Sequence, residues 1–119
     1  MKRRAFLIEE STFKTQVLIV GDCTWDEARA YVQKKYDVDA GEEEEECEGL
    51  QTDFDKEPYR MIWLPRLKWS RHLASVLAHE VYHLCNGIAT SRRLHTESSS
   101  DEAVAYLIEF YMREIAKKI

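Results

Sequence analysis

The chain opens on two runs whose apolar and polar positions are spaced as in β-strands. Ala5 to Glu10 and Phe13 to Val20 are those runs, and Ser11-Thr12 between them predicts a hairpin. Gly21-Asp22 breaks the pattern. Thr24-Trp25-Asp26-Glu27 is a capping box, in which a threonine and a glutamate three residues on satisfy each other's backbone N–H groups. It predicts a helix to about Tyr36, with Trp25, Ala28, Tyr31 and Val32 turned inward. Tyr59 to Leu64 returns to strand, because Met61, Ile62, Trp63 and Leu64 are too apolar to face water on both sides, and Pro65 ends it. Leu73, Val76, Leu77, Val81 and Leu84 then recur at helical spacing. Ser70 suits the cap before them, and Gly87 suits a left-handed stop after them. A second capping box, Ser99-Ser100-Asp101-Glu102, opens a last helical pattern from Ala103 to Ile115. The expected fold is a small α+β domain over residues 1–119, about three strands backing three helices.

One stretch of the fourth amphipathic pattern carries chemistry. His79-Glu80-Val81-Tyr82-His83 puts two imidazoles four residues apart, hence on one face of a helix, where they can share a metal ion. Glu80 follows the first by one residue, about 100° round the helix, within reach of a water on that metal. Two imidazoles suit zinc, and a carboxylate beside the water suits a general base. Composition predicts roughly 0.02 chance occurrences of this pattern in a chain of this size. An open zinc site needs a third protein ligand. The pattern with a glycine three residues and a histidine six residues after the second motif histidine fails, since those positions hold Asn86 and Ala89. The better candidate is Glu102, near the start of the last helix, with Asp101 and Glu97 as substitutes. Eighteen residues separate His83 from Glu102, enough for one helix to end and another to return alongside.

With His79, Glu80, His83 and Glu102 in place, the chain resembles the gluzincin metallopeptidases. Within that group it looks most like the minimal-domain peptidases of bacteria and phages, including the ImmA/IrrE type, whose Glu-x-x-Ala signature is matched by Glu102-Ala103-Val104-Ala105. The resemblance covers roughly residues 58–118. It implies a zincin-like domain with the active site between the last two helices, zinc held by His79, His83 and Glu102, and Glu80 as base. It also makes Tyr59 to Leu64, the strand before the motif helix, the candidate edge that borders the cleft and pairs with an extended peptide substrate; the other reading is a central strand covered on both edges. One departure stands out: where the family often has Asn or Asp four residues after the glutamate, this chain has Tyr106.

Charge and composition narrow the function classes. A hydrophobic content of 45% with 33% charged residues is that of an ordinary globular domain, and a formal net charge of −5 leaves no footprint for nonspecific nucleic-acid binding. Met1-Lys2-Arg3-Arg4 resembles the basic start of a signal peptide, but Glu9-Glu10 ends the short apolar run after it. No apolar stretch is long enough to span a bilayer. Cys23, Cys47 and Cys85 are odd in number and scattered, which suits thiols in a reducing cytoplasm, with Cys85 as a packing residue. Gly41 through Gly49 encloses five consecutive glutamates plus Glu48, an expected mobile, solvated loop.

The expected chemistry is metal-assisted hydrolysis of a peptide bond, with His72, His95 or Tyr106 as donor to the tetrahedral oxyanion. Two alternatives stay open: a zinc-binding domain that recognises a protein partner without cutting it, and a metal-free interaction domain in which the histidines and Glu102 are polar edge residues.

Overall fold

The structure, a computed structural model, describes residues 2–42, 47–91 and 98–119, with the side chains of 98–101 left outside that description. The acidic run at 43–46, His95 and Glu97 therefore lie outside the described residues. The elements in chain order are β1 (Arg4–Glu10), β2 (Thr15–Gly21), α1 (Trp25–Tyr36), β3 (Leu50–Asp53), β4 (Arg60–Leu64), α2 (Arg71–Ser91) and α3 (Ser98–Lys118). The fold is α+β, with one mixed sheet of four strands in the order β1-β2-β4-β3. The expected hairpin pairs Arg4 with Gly21 through Glu10 with Thr15, β4 lies parallel to β2, and β3 lies antiparallel to β4.

Alternation along the two central strands explains the layering. Val17, Ile19, Ile62 and Leu64 point to one side, into a core closed by α2 and α3. Leu18, Val20, Met61 and Trp63 point to the other, into a core closed by α1. Both faces of β2 and β4 are buried, so these strands have near-continuous apolar sequences. Under α1, Trp25 meets Trp63 edge to face at 5.5 Å, and each indole N–H finds a backbone carbonyl, of Gly41 and Cys23 respectively. The predicted capping box at Thr24 and Glu27 is formed, and Asp37 closes α1 in the left-handed conformation at φ 56°.

Two expectations change, and one open choice is decided. The sheet has four strands rather than three, because Leu50-Gln51-Thr52-Asp53 pairs with β4. Of the two readings of Tyr59 to Leu64, the central one holds: β4 is hydrogen-bonded on both sides, and β3 takes the edge. Gly87 does not stop its helix. Ile88 and Ala89 beyond it are fully packed, and α2 runs a further turn to Ser91. Tertiary burial outweighs the roughly 1 kcal/mol that a helical glycine costs.

The β1–β2 turn is locked by a buried carboxylate. Glu10 accepts from the backbone N–H groups of Thr12 and Phe13 and from the hydroxyl of Tyr106 on α3. Nearby, the hydroxyls of Thr15 and Tyr111 lie 2.6 Å apart. Burial pushes the Glu10 carboxyl up, but the hydrogen bonds from Phe13, Thr12 and Tyr106 together hold it below its ordinary value. A lowered folded value means that its stabilisation is present above the unfolded carboxylate range and is lost as pH falls through the folded value. Glu10→Gln should therefore lower stability at neutral pH by about 1–3 kcal/mol. In urea unfolding across pH, the deficit should shrink towards zero in acid. A deficit that is constant with pH would mean that the charge on Glu10 does not matter.

Candidate active site

The site is built on α2, whose start is set by Ser70. Its hydroxyl accepts from the backbone N–H of Leu73 at 2.9 Å, as the sequence predicts for a cap. From there Leu73, Leu77, Val81, Leu84 and Ile88 form the buried stripe, which holds the helix on the sheet and fixes which way the other face points. His79 and His83 lie on that other face, and their Nε2 atoms are 3.1 Å apart with the rings nearly perpendicular. At that distance one ring donates to the other, in a direction set by tautomer. Two nitrogens at that spacing, each about 2.1 Å from one zinc ion, would subtend about 95°, and a separation of about 3.4 Å would give the tetrahedral angle. The pair thus fits two positions of such an ion.

Glu80 sits beside them with 6% of its surface exposed, yet it lines the same cleft. It makes no hydrogen bond or ion pair with another described residue. A carboxylate this buried ordinarily has a partner, because desolvation is otherwise uncompensated. Glu80 instead opens to the space in front of the two histidines.

The cleft, of about 770 Å³, lies between α2 and the edge strand β3. Gly49 lets the strand come in close: a Cβ there would lie 2.7 Å from Cγ1 of Val76. At the other end Gly87 faces Asp53, whose Oδ2 would be 4.0 Å from a Cβ on the glycine. Strand and helix therefore run side by side in the same direction, with the histidine pair between these two contacts. Gln51 donates to Asp53 at 2.6 Å, and both line the cleft. His72 lines its near end, paired at 2.9 Å with Glu48 on the rim.

Among the described residues, no third His, Cys, Asp or Glu joins the histidine pair in a group able to hold a metal ion. Glu102 is exposed on the second turn of α3 and does not line the cleft. Tyr106, one turn further along the same face, bonds Glu10 at the β1–β2 turn, which belongs to the opposite edge of the sheet from β3. The side chain of Asp101, with Glu97 and His95, lies outside the described residues. Cleft and histidines thus lie between α2 and β3 rather than between the last two helices. Tyr106 stands away from them, committed to the hairpin. Cys85 is fully buried, and desolvation pushes its thiol up to about 12, in keeping with packing.

Sequence reasoning missed Gly49, Gln51 and Asp53. The alternation Leu50-Gln51-Thr52-Asp53 is a strand signal, but four residues after an acidic run are too few to stand out. No helix among the described residues is long and apolar enough to cross a membrane. The chain has no match among protein-family models, curated proteins or solved structures.

Proposed function

We propose that the chain is a zinc-dependent metallopeptidase of the minimal gluzincin kind. One observation carries the reading: two imidazole nitrogens 3.1 Å apart, with the buried carboxylate of Glu80 opening beside them into a cleft walled by an edge strand. His79 and His83 would hold the zinc, with Glu102 proposed as the third ligand from its place in the Glu-x-x-Ala signature. When bound, the ion would acidify a water molecule and polarise the carbonyl to be attacked. Glu80 accepts the proton of the attacking water and returns it to the leaving amine. An extended peptide would add to the free edge of β3, where main-chain hydrogen bonds hold it in register with the histidines. The substrate is a protein or peptide. The setting we propose is the cytoplasm of a bacterium or a phage-infected cell, on the resemblance and the scattered cysteines.

Protein purified without a histidine tag should carry about one zinc per chain in metal analysis. A competitive zinc titration tests the third ligand. Glu102→Ala should weaken binding by more than about a hundredfold, beyond what loss of an outer partner costs. Glu97→Ala and Asp101→Ala should leave it nearly intact. If Asp101→Ala were the damaging change, the ligand would be the neighbouring residue. If none of the three mattered, the metal would not take a carboxylate from this helix.

A further inference from the structure

We infer that an apolar pocket adjoining the cleft receives a large aliphatic or aromatic side chain of the bound peptide, an inference that rests on the peptidase reading for its occupant. The pocket, of about 290 Å³, has Pro65, Leu73, Val76 and Cys47 as its apolar lining, joined by Arg66, Lys68 and Ser70. It shares Val76 and Cys47 with the main cleft, and also the exposed ion pair of Glu48 and His72, which spans the boundary between the two spaces. The two spaces thus adjoin, with four lining residues in common, and that adjacency identifies the occupant. A molecule seated in front of the histidines meets this pocket next along α2.

Helix geometry sets how far along. Val76 and Leu73 precede His79 by three and six residues, about 5 and 9 Å along the helix axis at 1.5 Å per residue. An extended peptide advances about 3.3 Å per residue, so the side chain that reaches the pocket belongs to a residue about one to three positions from the bond in front of the histidines. The chemistry of the walls does the selecting. Pro65, Leu73 and Val76 form the apolar walls, while the polar groups of the lining are the ion-paired Glu48 and His72, the helix-capping Ser70, and Arg66 and Lys68. A neutral amide side chain set against those walls therefore loses water with little replacement. A leucine or phenylalanine gains from leaving water. Gly49 maintains the shape of the junction, because any larger residue would meet Val76 and force strand and helix apart.

The test does not depend on metal or on catalysis. Metal-free, isotope-labelled protein is titrated with N-acetyl-leucine amide, N-acetyl-phenylalanine amide and N-acetyl-asparagine amide while amide resonances are followed. The two apolar probes should give saturable shifts at His72, Leu73 and Val76, and the asparagine probe should bind at least about tenfold more weakly. Val76→Trp fills the pocket and should weaken the apolar probes by about tenfold or more. Val76→Ala enlarges it and should move the preference from leucine towards phenylalanine. Circular dichroism confirms that each variant is folded. No saturable shift at these residues, or a response unchanged by both substitutions, would overturn the pocket. Failure of the peptidase reading looks different: probe binding would persist while the protein took up no zinc and cut no peptide.

Discussion

Glu80→Gln should leave zinc on the protein and reduce peptide cleavage by about a hundred- to ten-thousandfold, the usual worth of a positioned general base. The substitution keeps the size and planarity of the side chain and removes only its capacity to take a proton. Glu80 is held by the helix itself: Val81 and Leu84 beside it are fully buried, so the carboxylate has little freedom to leave its place. It needs no rearrangement to act, since it is bonded to no other described side chain. A neutral amide of the same size in the same place should leave thermal stability close to that of the parent. Activity lost with stability kept is the signature expected of a base, and a structural role would move both together. Parent and variant should be screened side by side on a broad peptide library, because the substrate is not fixed by the cleft alone. Cleavage that survives Glu80→Gln would rule out this mechanism. A zinc-loaded parent that cuts nothing would favour a zinc-stabilised domain that binds a partner without hydrolysing it.

How much of this was legible in the sequence follows from the range of the interactions involved. The capping box at Thr24, the cap at Ser70, the β1–β2 hairpin and the stacking of His79 on His83 are decided within a few residues, and each appears where its local pattern puts it. What the pattern does not contain is pairing across the sheet. The sequence of β4 is equally apolar whether the strand is central or merely covered, and only the pairing of β3 along its outer side distinguishes the two. The placement of the cleft depends on that same pairing. Gly87 misled for a related reason: its local preference is to end a helix, and the burial of Ile88 and Ala89 against the sheet carries the helix past it. Tyr106 sits at the family's usual position for a polar partner of a ligand, yet Glu10, nearly the whole chain away in sequence, takes its hydroxyl. Contacts between residues so distant leave no periodic trace.

His79→Ala and His83→Ala should each weaken zinc binding by more than about a hundredfold, and the double variant should abolish it. Loss of an outer-shell partner alone typically costs ten- to a hundredfold, so removal of a direct ligand must exceed that. Both rings are exposed on the cleft face, and neither belongs to the buried stripe of α2. Substitutions at such positions usually change intrinsic stability by no more than about 0.5 kcal/mol, so the metal-free variants should melt near the metal-free parent. That separates ligand loss from unfolding. A second readout comes from linkage, because a metal that binds only the folded chain stabilises it by mass action. With free zinc at a hundred times the dissociation constant the parent should gain about 2.7 kcal/mol. For a domain of this size that is a rise of roughly 10 °C in Tm. The single variants at the same zinc concentration should gain little, and the double variant nothing. His72→Ala is the internal control, since its ring is paired with Glu48 at the end of the cleft, away from the histidine pair. It should retain the full zinc-dependent shift. Full zinc occupancy in the His79 and His83 double variant would sink the assignment, and with it the catalytic role given to Glu80.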